Sequence, residues 1–213
     1  MNRSGRLVFV LGLLAVGLQA CKMGINETLY VKDGETQRGD LNSVNGSIII
    51  GKNCDVRGDC RSVNGRIEVG SGSSVEDLQS VNGGISLDEQ VQVRQDVGTV
   101  NGPVSSAAGV KIRGRIKTLN GDMDLRGTAV TGDLRTMNGD IALASQSTVH
   151  GDIIVEEQHG SSDHSRVLDI RLSDGSIVEG SVIVEDDDIT VRVHLASGGA
   201  VKGEVRGAEV VNE

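Results

Sequence analysis

Aromatic residues are almost absent from the chain, which has no Trp, one Tyr and one Phe among 213 residues. Phe9 belongs to the N-terminal segment discussed below, so Tyr30 is the only aromatic residue in the rest of the chain. Binding sites for sugars and bases commonly use aromatic stacking platforms, and tight protein interfaces use aromatic anchors. The composition therefore argues against a stacking site and predicts an aliphatic core.

Positive charge and proline are also scarce. The chain has one Pro, and 21 basic residues against 30 acidic residues give a formal net charge of -9. Residues 1–20 contain Arg3 and Arg6 and no acidic residue, so their removal changes this charge to -11. Because an acidic surface repels phosphate backbones and anionic headgroups, we expect no nucleic acid partner and no electrostatic docking to a membrane.

The one long apolar run lies at the N-terminus. Residues 7–18 form an apolar run that follows two arginines, and its last residue begins the small-residue motif Leu18-Gln19-Ala20-Cys21. This pattern is typical of a secretory signal peptide, and the run is too short for a transmembrane helix. The four residues 18–21 resemble the lipobox of bacterial lipoproteins, which implies cleavage before Cys21 and lipidation of its thiol. Lys22, where Asp would favour inner-membrane retention, favours the outer membrane. We expect an outer-membrane lipoprotein of the bacterial cell envelope, facing the periplasm or the surface and held by its acyl chains. The alternative is an ordinary signal peptide with a cysteine there by chance.

Glycine is abundant, with 30 residues, and much of it belongs to a repeated phrase. A hydrophobic residue followed by Asn-Gly recurs at a nearly constant interval, at Asn45-Gly46, Asn64-Gly65, Asn82-Gly83, Asn101-Gly102, Asn120-Gly121 and Asn138-Gly139. A nearly constant period of this size is typical of stacked repeats.

Alignment of the repeats on Asn-Gly produces hydrophobic columns. The residues one place before the Asn are Val44, Val63, Val81, Val100, Leu119 and Met137. Those four places before it are Leu41, Cys60, Leu78, Val97, Ile116 and Leu134, and those three places after it are Ile48, Ile67, Ile85, Val104, Met123 and Ile141. Apolar and polar residues alternate after the Gly, as in a strand with one buried face. We predict an all-β fold, a single-stranded parallel β-helix, right-handed, with about 18–19 residues per coil, irregular C-terminal coils and these columns buried along its axis.

The Asn-Gly pairs are expected to form the corners of the coils. Gly tolerates positive φ, and Asn is the next most tolerant residue, so the pair turns the chain at little cost. If the Asn side chains point inward, each amide donates to the next along the axis as a structural ladder. A hairpin at each Asn-Gly ranks second, because hairpins do not explain the constant period.

The period divides the chain into five parts. We expect a signal peptide at 1–20, a lipidated tether with a first imperfect coil at 21–40, and a regular solenoid at 41–155. A polar loop at 156–166 then precedes degenerate C-terminal coils and a cap at 167–213.

Few residues suggest chemistry. Cys54 and Cys60 lie in one coil and are a possible disulfide pair, although Cys60 in an apolar column is also typical of a small buried hydrophobe. His159, Asp163 and His164 are too few for a convincing metal site, and the acidic run 185–188 lacks the repeated glycine pattern of calcium-binding β-rolls. We expect no metal and no cofactor.

Some β-helices are carbohydrate-active enzymes, which need carboxylates clustered across several coils. Asp59, Asp133 and Asp152 share a column. Arg115 and Asp96 interrupt it, and alternating signs in one column fit ion pairing between coils better. We therefore do not expect an enzyme.

The phrase Ser43-Val44-Asn45-Gly46-Ser47-Ile48 and its repeats resemble bacterial adhesin-like domains of the DUF4097 type. The half-unit Val130-Thr131-Gly132-Asp133-Leu134 is more faintly similar to the bactofilins, which form filaments. These resemblances imply a β-solenoid with a structural, scaffolding or adhesion-like role, and they bring no catalytic residues. The expected partners are the membrane, through the lipid, and a cell-envelope protein or polysaccharide. Self-association into filaments is the alternative.

Overall fold

The computed structural model describes residues 21–157 and 166–213. The predicted signal peptide and the histidines of the polar loop, His159 and His164, lie outside the described residues. Within the two described ranges the regular secondary structure consists of strands, and a candidate membrane-spanning helix is not found there.

Twenty-nine short strands of the described chain form ten coils. Coils 1 to 3 contain β1 (Lys22–Gly24), β2 (Leu29–Val31), β3 (Thr36–Gln37), β4 (Leu41–Ser43), β5 (Ile48–Ile50), β6 (Asp55–Val56), β7 (Cys60–Ser62), β8 (Ile67–Val69) and β9 (Ser74–Val75). Coils 4 to 6 contain β10 (Leu78–Ser80), β11 (Ile85–Leu87), β12 (Gln92–Val93), β13 (Val97–Thr99), β14 (Val104–Ser106), β15 (Lys111–Ile112), β16 (Ile116–Thr118), β17 (Met123–Arg126) and β18 (Ala129–Val130). Coils 7 to 10 contain β19 (Leu134–Thr136), β20 (Ile141–Ala144), β21 (Thr148–Val149), β22 (Ile153–Val155), β23 (Val167–Leu172), β24 (Ile177–Val178), β25 (Val182–Val184), β26 (Thr190–Leu195), β27 (Ala200–Val201), β28 (Val205–Arg206) and β29 (Ala208–Asn212).

The strands stack into three parallel sheets. The first strands of the ten coils, from β1 to β28, form sheet 1, and the second strands, from β2 to β29, form sheet 2. The third strands, from β3 to β27, form sheet 3. Cys60 pairs with Leu41 of the coil before it and with Leu78 of the coil after it. The predicted parallel β-solenoid with about 19 residues per turn is confirmed, whereas its handedness stays a prediction.

The core is a column of aliphatic side chains that come from all three sheets. Leu41 and Leu78 of sheet 1, Ile67 of sheet 2 and Val56 and Val75 of sheet 3 are completely buried. Because side chains alternate between the two faces of a strand, each short strand delivers one or two residues to this core. Two of the three predicted columns, those of Leu41 and Ile48, are therefore buried as expected.

The third predicted column, that of Val44, lies outside. Val63 and Val81 are 41% and 40% exposed, and the other four members are half-buried. The inward position beside them belongs to hydroxyl residues that the repeat also contains, Ser43, Ser62, Ser80, Thr99, Thr118 and Thr136, which are all buried. The expectation that every apolar column lies inside was wrong here, because strand alternation places the Ser or Thr inward and its neighbour outward.

Corner 1, the turn between the first two strands of a coil, holds the Asn-Gly pairs. Its glycines do not have positive φ, and neither do the six predicted asparagines. Glycine is required because a Cβ on Gly121 would lie 2.0 Å from the carbonyl oxygen of Gly102 in the preceding coil. That same carbonyl position accepts hydrogen bonds from the hydroxyl column, as when Thr99 donates to Gly83 at 3.0 Å. Close stacking, rather than turn conformation, thus explains the glycine.

The asparagines form the predicted ladder, but on the outside of the corner. Each side-chain NH₂ donates to the side-chain oxygen of the preceding Asn at 2.7 to 2.9 Å, along Asn26, Asn45, Asn64, Asn82, Asn101, Asn120 and Asn138. All but Asn138 are exposed. The inward placement was therefore wrong, because the hydroxyl column already fills the inner side of this corner.

Positive φ instead occurs at corner 2, between the second and third strands. The column there consists of Gly34, Asn53, Gly72, Gln90, Gly109, Gly127, Gln146, Gly175 and Gly198, with φ from 54° to 84°. The residue that follows points inward, as Cys54, Ser73 and Val91 do. A left-handed backbone conformation, which favours Gly and Asn, thus turns the chain at this corner.

The N-terminal coil differs from the expected pattern, whereas the C-terminal coils are irregular as predicted. Coil 1 begins at Lys22, directly after Cys21, and its strand β1 pairs with β4, so no tether separates Cys21 from the fold. Later coils lengthen at corner 1, because Ile153 pairs with Val182 and Val182 pairs with Val205. Arg166 closes the ladder there by donating to the side-chain oxygen of Asn138 and to the Met137 carbonyl, the latter at 3.2 Å.

The ladder predicts a stability effect. Asn101→Ala removes a donor to Asn82 and an acceptor for Asn120. Since each exposed hydrogen bond contributes about 0.5–1.5 kcal/mol, we expect a loss of about 1–2 kcal/mol in the free energy of unfolding, measured by denaturant titration. Ser105→Ala, on the outer side of sheet 2 in the same coil, is the control and should change little. An unchanged free energy of unfolding in the Asn101 variant would show that the ladder does not stabilise the fold.

Candidate functional site

The outer face of sheet 1 carries the exposed apolar column and a groove beside it. We define the apolar column as Ile25, Val44, Val63, Val81, Val100, Leu119 and Met137. The parallel column two residues earlier in each coil is Met23, Asn42, Arg61, Gln79, Gly98, Lys117, Arg135 and Ile154. Both columns follow from the same backbone register, so they run side by side along the axis.

The groove lies where the second column loses a side chain, at Gly98. It has a volume of about 380 Å³, and Val63, Val81, Val100 and Leu119 line one side. A Cβ on Gly98 would meet only the carbonyl oxygen of Lys117, at 3.9 Å, so open space lies above this residue. Packing therefore does not require glycine here, and the missing side chain leaves a depression beside the apolar column.

The charges around the groove are paired. Arg61 contacts Asp59 at 2.6 Å and Arg115 contacts Asp96 at 3.0 Å. Lys117 reaches across two coils to Glu156 at 2.6 Å. Each of these cations is thus paired with a carboxylate. The groove therefore presents an apolar surface that is surrounded by neutralised ion pairs.

Corner 3, between the third strand of one coil and the first strand of the next, holds the predicted carboxylate column. Asp133 accepts a hydrogen bond from the backbone N–H of Asp152 at 3.1 Å, and Asp152 accepts one from the N–H of Ser181 at 2.7 Å. Asp59 is bound by Arg61. Each of the three carboxylates thus binds a neighbouring group of the fold, and the contacts of two of them join successive coils.

Asp77, in the same column, was not identified from the sequence. It is only 7% exposed and accepts a hydrogen bond from Gln79 at 2.8 Å. Burial raises its pKa, and the charges of Asp59 and Asp96 raise it further. Asp133 behaves oppositely: burial alone would raise its pKa, but the N–H of Asp152 and the guanidinium of Arg135 lower it overall.

The cysteines occupy three different environments. Cys21 is exposed at the start of coil 1, and its sulfur accepts a hydrogen bond from the Asn42 amide at 3.3 Å. Cys54 and Cys60 are buried free thiols, so the possible disulfide is not formed. Cys54 lies inside corner 2, where it donates to the Lys32 carbonyl at 3.1 Å, whereas Cys60 faces the core from sheet 1. Burial, with the charges of nearby aspartates, raises the pKa of Cys60 to about 12, which keeps its thiol protonated.

Other candidate ligands are engaged within the fold. Asp186, in the acidic run 185–188, is buried and contacts Arg166 at 3.3 Å. His150 contacts Glu179 at 2.6 Å, and His194 lies between Asp169 and Glu213. Within residues 21–157 and 166–213 no group of three His, Cys, Asp or Glu side chains is arranged to hold a metal ion.

Comparison of the chain with protein-family models, with curated proteins and with solved structures found no match in any of the three.

The opposite pKa shifts of Asp77 and Asp133 predict that the two side chains affect stability oppositely as the pH changes. Because the pKa of folded Asp77 is raised above 3.8, wild type loses stability as the pH rises through that raised value. We expect Asp77→Asn to raise the melting temperature at pH 7, with a gain that shrinks toward pH 3.8. Asp133→Asn should lower it at pH 7, since a lowered pKa contributes stability above 3.8 that is lost at lower pH. Equal shifts of the same sign for both variants, measured by calorimetry across this pH range, would contradict the assignment.

Proposed function

We propose that this protein is a non-catalytic, lipid-anchored β-solenoid of the bacterial cell envelope with a structural, scaffolding or adhesion-like role. In this role the solenoid holds the outer face of sheet 1 toward a partner protein of the envelope. The observation that carries the proposal is the apolar column, which stays partly or largely exposed in seven successive coils while the rest of the apolar repeat is buried. A contiguous apolar patch on a soluble surface commonly marks a protein interaction site.

The chemistry of the groove favours a protein over a polysaccharide or a nucleic acid. Tyr30, the only aromatic residue after the signal segment, lies in coil 1 and not among the residues that line the groove. Arg61 and Arg115 are paired with carboxylates, so phosphate groups would have to displace these partners. Aliphatic side chains of a partner segment fit Val81 and Val100 without such a cost.

The corner 3 carboxylates support a non-catalytic role. General acid and base groups must be able to reach a substrate, whereas the side chains of Asp133 and Asp152 each accept a backbone N–H of the following coil. Their geometry fits stacking of the coils. A depolymerase activity that is lost on changing either residue would overturn this part of the proposal.

The groove offers a test through Gly98. We expect Gly98→Leu to fill the depression and block the partner without loss of melting temperature, because the position has open space. A photocrosslinking residue at Val81 reports the partner in intact cells, and its adducts should disappear in the Gly98→Leu background. Ser105→Leu, on sheet 2 of the same coil, is the matched control and should leave the adducts intact. Adducts that persist with Gly98→Leu would overturn the groove as the contact surface.

The lipid anchor is tested at Cys21. We expect wild type to fractionate with the outer membrane and to incorporate labelled fatty acid, because the exposed Cys21 thiol carries the acyl chains. Cys21→Ala should lose the label and leave the membrane fraction. Cys54→Ala is the control, since its buried thiol is outside the lipobox and its change should leave labelling unaltered. Undiminished labelling of Cys21→Ala would refute the lipoprotein assignment.

Filament formation is a second candidate, favoured by the C-terminal end of the solenoid. The last strands of the three sheets, β27, β28 and β29, have one partner strand each within the described chain, and Val210 is 46% exposed. An open edge of this kind is able to pair with another chain. The Cys21→Ala protein separates the two roles: the anchored scaffold predicts monomers in electron micrographs, whereas filaments would favour the polymer.

A further inference from the structure

Coil 1 is joined to Cys21 without a spacer. The backbone N–H of Lys22 donates to the Asp40 carbonyl at 2.8 Å, and Lys22 pairs with Leu41 at the first position of sheet 1. The Cys21 sulfur is itself hydrogen-bonded to Asn42. Since one residue spans at most about 3.6 Å, a lipid on Cys21 holds coil 1 directly at the bilayer surface.

Coil 1 also exposes its apolar side chains more than the later coils do, and at two of the three positions the later coils are mostly polar. Met23 is 71% exposed, Ile25 65% and Tyr30 63%, the three highest values among the large hydrophobic residues of the described chain. The column of Met23 continues as Asn42, Arg61 and Gln79. That of Tyr30 continues as Ile49 and then Glu68, Ser86, Ser105 and Asp124. The apolar exposure of these two columns is thus concentrated at the end that carries Cys21.

Net charge does not distinguish coil 1 from the average later coil. Residues 22–40 contain three cations and four acidic residues, a net charge of -1, which leaves -10 of the -11 on residues 41–213. Coils 2 to 10 thus average about -1.1 each, close to the -1 of coil 1, so an anionic bilayer repels coil 1 about as strongly as an average later coil. The orientation in which coil 1 faces the lipid and the later coils stand away from it is therefore favoured by apolar exposure and not by charge.

We propose that Met23, Ile25 and Tyr30 form a second membrane contact, which enters the interfacial region of the bilayer and holds the solenoid axis upright. The three side chains project from sheet 1, corner 1 and sheet 2, so together they cover a continuous part of the rim of coil 1. Tyrosine with an apolar ring and a polar hydroxyl suits the interface between headgroups and acyl chains. This contact rests on the proposed lipidation of Cys21, because that lipid brings coil 1 to the membrane.

The absence of tryptophan from the chain allows a direct measurement of depth. A single Trp is introduced as Tyr30→Trp in coil 1, Ser86→Trp in coil 4, or Ser105→Trp in coil 5, all in one column of sheet 2. The full-length proteins are expressed in bacteria, purified from membranes and placed in vesicles of phosphatidylethanolamine and phosphatidylglycerol at a ratio of about 3:1, as is usual for anionic model bilayers. Quenching by lipids with brominated acyl chains then reports the proximity of each Trp to the bilayer.

We expect the quenching of Tyr30→Trp to exceed that of Ser105→Trp by roughly threefold, since four coil steps of about 4.8 Å take position 105 beyond the depth of interfacial contact. Ser86→Trp should resemble Ser105→Trp. Val100→Trp, in the apolar column, serves as the control for a solenoid lying on sheet 1 and should also be weakly quenched.

Three results would overturn the proposal. Equal quenching at positions 30 and 105, or strong quenching at position 100, would show a solenoid lying along the bilayer. Protein that floats with the vesicles but shows no quenching at position 30 would refute the coil 1 contact and leave the lipid anchor intact. Protein that does not float with the vesicles would overturn the anchor together with the contact.

Discussion

The stacking of one coil directly on the next, about 4.8 Å away, is the constraint on which the rest of this structure depends. Each strand and most turns form backbone hydrogen bonds with the corresponding segment of the neighbouring coils, as Asn64 does with Val44. Every residue therefore meets residues of the same column above and below, and side chains that cannot tolerate such neighbours are excluded. Glycine at corner 1 is the strictest case, since its Cα lies against the carbonyl of the preceding glycine.

Polar side chains at the corners satisfy the same constraint in two ways. At corner 1 the asparagines donate to one another along the axis, because an amide contains both a donor and an acceptor. Carboxylates lack the donor, so at corner 3 Asp133 and Asp152 each bind the backbone N–H of the following coil instead. Where a carboxylate is stacked between others without such a bond, as at Asp77, its pKa is raised. The choice between amide, carboxylate and hydroxyl in each column thus follows from what its equivalent neighbours offer.

Much of the fold could be predicted from the sequence because stacking makes columns visible in one chain. The period, the buried columns of Leu41 and Ile48, and the asparagine ladder all followed from residue types repeated at fixed spacing. Corner 2 was missed because Gly, Asn and Gln alternate there, and their common property is a backbone conformation rather than a shared side chain. A first imperfect coil was expected within residues 21–40, but its start directly after Cys21 was missed, because Glu27 replaces the glycine after Asn26 and hides the repeat.

The candidate surface was harder to predict than the fold. We assumed that every apolar column lies inside. Strand alternation from the buried Leu41 instead places Ser43 inward and Val44 outward, and this could have been recognised from the sequence. The groove itself depends on Gly98, whose significance is visible only once its column is known to face outward. A surface of this kind consists of ordinary aliphatic residues in an exposed place, so the sequence offered no chemical motif by which to recognise it.

The ladder of asparagines has a direction, and this direction makes the length of the solenoid adjustable. Every amide donates toward the N-terminus, so the series begins with Asn26 and ends with the side-chain oxygen of Asn138, which the guanidinium of Arg166 binds. A coil added or deleted between Asn26 and Asn138 leaves the contact of Asn138 with Arg166 unchanged and repeats the same ladder contact once more or once less. The length of the solenoid is therefore set by the number of ladder units and not by the group that closes the C-terminal end of the ladder.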